Sequence, residues 1–223
     1  MERRYLDVAQ TLLQEIVHGT PAQYEWLPRE VELEDRFGCS RQVIREAIRW
    51  LEERRVIGVR SAQGQHVLAD DGWDLLDPAV LELVLTWRDP GRQLLRETIE
   101  AVRLIEVDAA RLATQRARDG DFDVLAGELM RMHAAEEPER FVDAQATFHH
   151  GLLLISGNRV LAQTAEPLHR VLARMRQARA AERTPAVLRQ HERILAALRA
   201  RDPAVATGAV CELADQLTRW LAR

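Results

Sequence analysis

The chain contains no lysine; all 31 of its basic side chains are arginine. Together with the abundance of alanine, this reads as genomic codon bias and carries no functional information. Cysteine is nearly absent. Cys39 and Cys211 stand far apart in the chain and in no metal-ligand spacing. That excludes a disulfide framework and suits two uncharged thiols in a reducing cytosol. No apolar run approaches the roughly 18 residues that a membrane span needs, and the opening MERRYLDVAQ lacks the apolar stretch of a secretory signal. A cytoplasmic protein with no membrane partner is therefore expected. Low-complexity segments and fixed-period repeats are missing as well. So are HExxH, a nucleophile elbow, a glycine-rich phosphate loop and paired carboxylates near His149, which points away from an enzyme. The net charge of -4 excludes a protein that coats nucleic acid indiscriminately. A sequence-specific reader stays open, because only its contacting face need be basic.

What is present is ample core material. The chain has 223 residues, 47% of them hydrophobic, enough for one large domain or two modest ones. Two regimes meet near residue 70. Before it, helical patterns end in Val56-Ile57-Gly58-Val59-Arg60, a turn at Ser61-Ala62-Gln63-Gly64, and Gln65-His66-Val67-Leu68, which together predict a small β-hairpin. The polar Ala69-Asp70-Asp71-Gly72 follows, so the expected division is a first domain over 1–69, a linker over 70–77 and a second domain over 78–223. After the linker every signal is helical. Asp89-Pro90-Gly91 breaks the chain, and Leu95, Ile99, Val102, Ile105 and Ala109 then recur at three- and four-residue steps along a helix predicted from Arg92 to about Arg118. Further helices are predicted at about 122–135, 139–155, 159–181, 186–200 and 204–221. Their punctuation is Pro138, Gly157-Asn158, Thr184-Pro185 and Asp202-Pro203. The expected fold is mostly α: a winged helix-turn-helix with a small β wing, then an all-α bundle of six or seven helices.

The sharpest local signal runs from Leu27 to Arg55. Glu30 to Phe37 makes a short helix, Gly38-Cys39-Ser40 a turn, and Arg41 to about Arg54 a second helix that buries Val43, Ile44, Ala47, Ile48 and Leu51. Ser40 is placed to cap that helix by accepting a backbone N–H. Arg41 and Arg45 lie one turn apart at its N-terminal end, the end that meets base edges when such a helix enters the major groove. An arginine there can bond a guanine in bidentate fashion. Arg49 and Arg60 are better placed for phosphate, and the turn at Gly64-Gln65-His66 for the backbone or the minor groove. From Arg36 to Arg60 there are seven arginines against three glutamates, so positive charge concentrates where the helix would touch DNA, while the acidic stretch 1–35 cancels it overall.

Leu27-Pro28-Arg29-Glu30-Val31-Glu32-Leu33, followed by Phe37-Gly38-Cys39-Ser40-Arg41-Gln42-Val43-Ile44-Arg45-Glu46-Ala47-Ile48-Arg49-Trp50-Leu51, resembles the winged helix of the GntR family over about residues 6–68. That family shows L-P-S-E-R-E-L-A and then G-V-S-R-x-P-V-R-E-A-L-x-x-L. The resemblance implies that Ser40, Arg41 and Arg45 contact operator DNA, with Arg29 and the wing at Gly64 as further contacts. Val31 stands where the family carries an arginine, and the proline-glycine that precedes the L-P motif is missing.

The second half is similar to the FCD ligand-binding domain of the FadR-like branch, over about residues 78–221. The resemblance is carried by Glu100-Ala101-Val102-Arg103-Leu104-Ile105-Glu106, by Phe148-His149 with Gly157-Asn158, and by the helix from His191 to Asp202. Trp73-Asp74-Leu75-Leu76-Asp77-Pro78 is similar to the sugar-acid, galactonate-type regulators of that branch. The resemblance implies a homodimer on a palindromic operator, acting as a repressor controlled by a small carboxylate or sugar acid held by Arg103, Gln145, His149 and His191. It also implies a divalent metal (zinc, nickel or manganese) on an aspartate and three histidines. Here His149 and His191 remain, Gln145 replaces the aspartate four residues before His149, and Leu213 replaces the last histidine. Three readings stay open: a metal-free pocket binding an anion directly, a metal held by two histidines plus a substitute, and a vestigial pocket. His18, His133 and His169 show no pattern, and Trp50, Trp73, Trp87 and Trp220 read as core or interface anchors. The rival in another class is a helical metal-dependent enzyme with a DNA-binding module attached.

Overall fold

The computed structural model describes residues 2–60, 64–88, 92–178 and 185–221. It divides into two compact units, Met1–Arg92 and Gln93–Arg223.

The first unit opens with α1 (Glu2–Val17), followed by α2 (Glu30–Phe37) and α3 (Arg41–Glu53). In α3 the buried residues Val43, Ile44, Ala47, Ile48 and Leu51 form one stripe, and the arginines at 41, 45 and 49 fall on the opposite side because four-residue steps keep them in line. That stripe packs on Leu12, Leu13 and Ile16 of α1 and on Leu33 of α2. Strands β1 (Ile57–Arg60) and β2 (Gly64–Val67) pair antiparallel, Ile57 opposite Val67 and Arg60 opposite Gly64; the turn at 61–63 lies outside the described residues. The segment Tyr24–Leu27 adds to the other edge of β2, with Tyr24 N donating to Val67 O, Val67 N to Glu25 O and Leu27 N to Gln65 O, each at 2.9 Å.

Between α2 and α3 the chain reverses through Gly38, whose φ of 55° lies in the left-handed region. No apolar contact demands glycine there, since a Cβ would meet open space, but the dihedral does. Gly38→Ala is expected to cost about 1 kcal/mol and to lower the unfolding midpoint of the full chain by a few degrees, measurable by circular dichroism. Ser40 takes the extended N-cap backbone of α3, yet its side chain makes no capping hydrogen bond. The capping role expected for its hydroxyl is therefore not the one the structure gives it.

The division also falls later than the expected one. The stretch 70–77 is docked, not a free linker: Trp73 is buried in the first core, and Asp77 accepts from Ala79 N at 2.9 Å to cap α4 (Pro78–Trp87) while pairing with Arg54 at 2.8 Å. Arg54 in turn lies over the Trp50 ring, 3.7 Å from its centroid. Val80 of α4 joins the same core, so α4 belongs with the DNA reader and not with the bundle. The expected chain break at 89–91 lies outside the described residues.

The second unit has six described α-helices: α5 (Gln93–Arg116), α6 (Phe122–Ala134), α7 (Pro138–Ile155), α8 (Arg159–Ala178), α9 (Pro185–Arg199) and α10 (Pro203–Leu221). Prolines 138, 185 and 203 open helices at the position where the missing N–H has no intrahelical partner to lose. Asn158 and Asp202 cap α8 and α10 through their side-chain oxygens. The predicted end of α8 at 181 lies outside the described residues. α5 runs against α7, α8, α9 and α10 and so forms the wall they share. Phe122, Leu125, Phe141, Phe148, Leu152, Ile194 and Leu198 fill the core on one side of it.

Candidate functional site

On the first unit, the face opposite the core is a groove of about 620 Å³ between α2, α3 and the wing. It is lined by Glu30, Arg41, Gln42, Arg45, Arg49 and Gln65, among others. Arg41 and Arg45 project one turn apart from the start of α3, and both approach the Glu30 carboxylate; Arg49 pairs instead with Glu53 of its own helix at 3.0 Å. Ser40 is exposed beside them. Arg29 is exposed immediately before α2, with its backbone N–H bound to Glu32 Oε2 at 2.8 Å. Gly64 begins β2 with φ at 108°, in the region that favours glycine, and brings the wing close to the Trp26 ring. Of the six residues expected to contact DNA, Arg41, Arg45 and Arg49 line this groove, Ser40 lines a separate hollow with Arg4 and Gly38, and Arg29 and Gly64 lie outside both linings. Trp26 was absent from that expectation; its ring lies 5.5 Å from His66 and braces the wing from the strand added at its edge.

On the second unit, three helices converge polar side chains on α5. Glu106 is buried, and its Oε1 lies 2.7 Å from His149 Nδ1 of α7 and 2.8 Å from His169 Nε2 of α8. The one oxygen faces both rings off the line of either N–H. His191 of α9 closes the group: its Nε2 is 3.3 Å from His149 Nε2, and its Nδ1 is 2.7 Å from the Val187 carbonyl. A carbonyl only accepts, so His191 carries its proton on Nδ1 and, when neutral, presents a lone pair at Nε2. His149 meets that lone pair on one side and a carboxylate on the other. A ring protonated on Nε2 donates to that lone pair, while the carboxylate stands beside Nδ1 off its N–H line. Gln145, one turn before His149, is buried with its Oε1 unpartnered.

Burial alone would push the Glu106 carboxyl up. The imidazoles beside it, His149 foremost and then His169, outweigh burial and hold it below the usual carboxylate range. The structure brings His149 and His191 together, buries Gln145 one turn before His149 on α7, and adds Glu106 and His169 to the group. Arg103 is placed elsewhere: it lies toward α10, where Cys211 foremost and then Asp215 favour its charged form.

The donor set does not fit a resident metal. Two imidazole Nε2 atoms 3.3 Å apart match the edge of a tetrahedral site. However, His149 Nδ1 and His169 Nε2 are turned to Glu106, and Leu213 is packed in the core. Among the described residues, no three His, Cys, Asp or Glu side chains are arranged to hold a metal ion. Catalytic zinc sites use three protein ligands and structural ones four. Trp50 and Trp73 are buried in the first core, whereas Trp87 is exposed with the His18 ring tilted against it, centroids 4.6 Å apart; the Trp220 side chain lies outside the described residues.

A basic recognition helix with its wing, joined in one chain to an all-helical unit with a buried polar cluster, defines a transcriptional regulator. Residues 4–67 match the bacterial regulatory proteins of the gntR family, and residues 97–216 match the FCD domain. The chain belongs to the GntR family, in the group that carries an FCD domain. It is 31% identical to the galactonate operon transcriptional repressor of Escherichia coli (strain K12), covering 95% of this chain and 93% of that one. It is 27% identical to the Uxu operon regulator of Haemophilus influenzae, covering 75% and 60%. The structure of Lar, which controls expression of the Listeria monocytogenes agr system, superposes with a TM-score of 0.61 at 16% identity, covering 96% and 94%, and shares the fold. The relatives are regulators of transcription, so the enzyme alternative falls away. No described helix is long and apolar enough to cross a membrane.

Proposed function

We propose that this chain represses transcription as a homodimer on a palindromic operator, and that a sugar acid bound among Gln145, His149, His169 and His191 releases it. The observation that carries this reading is a polar group inside the helical unit: Gln145, His149 and His191 are buried, and His149 and the largely buried His169 lie against the buried Glu106 carboxylate. Buried polar atoms are normally paired, and each one left unpaired costs about 1–3 kcal/mol. Gln145 Oε1 and His169 Nδ1 are two such atoms. With His169 Nε2 turned to Glu106, the neutral ring offers Nδ1 as an acceptor, as the Gln145 amide offers its oxygen. Two acceptors call for hydroxyl donors. A polyhydroxy acid supplies them, and the kinship with a galactonate operon repressor supports the same class. No metal is needed in this pocket. On the other unit, Arg41 and Arg45 read bases, Arg49 and Arg29 hold phosphate, and Ser40 and the Gly64 wing complete the contact.

Binding of the acid is coupled to operator affinity by typically 1–3 kcal/mol, a 5- to 150-fold weakening. The test is a thermal-shift series of the full chain with aldonic and uronic acids against simple carboxylates, run with and without chelator, followed by operator titration with the best ligand. A sugar acid should raise the unfolding midpoint equally in both buffers and weaken operator binding within that range. A shift abolished by chelator and restored by added metal would overturn the metal-free pocket. Equal responses to acetate and to sugar acids would overturn the assignment of hydroxyl acceptors.

A further inference from the structure

Two of the three arginines aligned on the recognition helix are held from a neighbouring helix. Glu30 begins α2, and its Oε2 accepts from Arg41 Nε at 2.9 Å while its Oε1 lies 3.8 Å from Arg45 Nε. The arginine side chains are each 68% exposed and the glutamate only 22%. One carboxylate therefore stands at the foot of both arginines, in the wall of the groove that Gln42, Glu46 and Gln65 also line. Arg49 differs: its partner, Glu53, lies on the same helix and is itself exposed, so it gives no fixed point outside α3.

Both contacts use Nε, the inner nitrogen of the guanidinium. Arg41 bonds Glu30 through Nε and not through the Nη atoms, which leaves the tip of its fork for another acceptor. Guanine is read by paired donors meeting O6 and N7, and a fork held at its base meets them end-on in a fixed plane. We propose that Glu30 is a positioning residue for sequence readout: before DNA arrives it fixes the plane of Arg41 through the Nε bond and draws Arg45 toward the same carboxylate by charge. This rests on the assignment of those two arginines as base readers.

Ion pairs this exposed add little to folding stability, so stability is not its role. Arginine does lose much rotamer freedom when it is fixed on a base, and a side chain already restrained loses less. The carboxylate also has an opposing effect, because it places a negative charge in a groove that faces phosphates. Glu30 thus lowers affinity for DNA in general while favouring the sequence in which both forks find guanine. This separation of the two affinities distinguishes a positioning group from a bystander charge.

The test uses the full chain. A preferred duplex is selected from a random pool with the wild-type protein, and dissociation constants are measured at one salt concentration for that duplex and for a scrambled one. Glu30→Ala should weaken the selected duplex by about tenfold, leave the scrambled one equal or somewhat tighter, and so reduce the specificity ratio more than tenfold. Glu30→Gln keeps an oxygen for Arg41 Nε without the charge. It should match Glu30→Ala on the scrambled duplex but recover part of the lost ratio. Equal tightening of both duplexes by Glu30→Ala, or a ratio within twofold of wild type, would overturn the proposal. Arg45→Ala is the control: if it collapses the ratio and Glu30→Ala does not, only the role of Glu30 fails. If Arg45→Ala also leaves the ratio unchanged, the base-reading assignment fails with it. Thermal midpoints of the variants report folding, and Glu30→Gln keeps the comparison intact should the alanine variant unfold.

Discussion

Glu106→Ala is expected to destabilise the chain by about 3 kcal/mol and to lower its unfolding midpoint by roughly 10 °C. The carboxylate is buried against His149 and His169. Removing one partner of a buried charge pair leaves the other unpaired in a poor solvent for charge, which is why the loss exceeds that of a surface pair. Glu106→Met separates charge from packing, since it fills nearly the same volume. A neutral His149 protonated on Nε2 still donates to His191 Nε2, so the methionine variant should recover most of the stability; failure to do so would mean that a positive charge stays buried beside position 106. The pH dependence has a definite sign. The folded carboxyl titrates below its unfolded counterpart, near 4.3, so its contribution is fully present above about pH 5 and fades as the pH falls through the folded value. The gap in midpoint between wild type and Glu106→Gln should therefore narrow on going from about pH 6 to about pH 3.5. A constant gap across that range would mean that the charge of Glu106 is not what the fold uses.

The reader was legible in the sequence because its signals are local. A glycine with φ in the left-handed region, an exposed serine and arginines at four-residue steps all lie within a dozen residues, and four-residue spacing alone puts the arginines in line. Helix ends in the bundle were legible for the same reason, since proline, asparagine and aspartate mark them one residue at a time. The polar pocket was only half legible. Its members come from four helices, and nothing in the spacing of Glu106, His149, His169 and His191 brings them together. A signal was nevertheless there. Glu106 continues the buried series Leu95, Ile99, Val102 and Ala109, and His169 continues Ala162, Ala165 and Leu172, so each is a polar residue on a stripe that must face inward. Arg103 lies three residues before Glu106, a spacing that keeps two residues on neighbouring parts of one helix face, so its turn toward α10 could not be read from the spacing. The placement of α4 was not legible, because an apolar helix shows that it is buried but not which core receives it. Trp73 and the Arg54–Asp77 pair settle that question only in three dimensions.

The other large effect is expected on the DNA face, where base readers and phosphate holders should separate by how they respond to sequence and to salt. Arg41→Ala and Arg45→Ala should each weaken a selected duplex by about 10- to 100-fold, since a bidentate arginine–guanine contact discriminates by roughly 1–3 kcal/mol. Preference at the corresponding base should relax, while affinity for a scrambled duplex changes little. Arg49→Ala should weaken both duplexes alike and reduce the salt slope by about one ion, as loss of one phosphate contact requires. The three side chains are almost equally exposed and lie in one row on α3, so neither burial nor helical position distinguishes their roles. What distinguishes them is the restraint: Arg41 and Arg45 share a carboxylate on α2, and Arg49 does not. Because the first two share a partner, their effects should not add; the double variant should lose less than the product of the single losses. Additive losses would mean that the two forks act independently, and a salt slope reduced equally by all three would mean that every one of them binds phosphate.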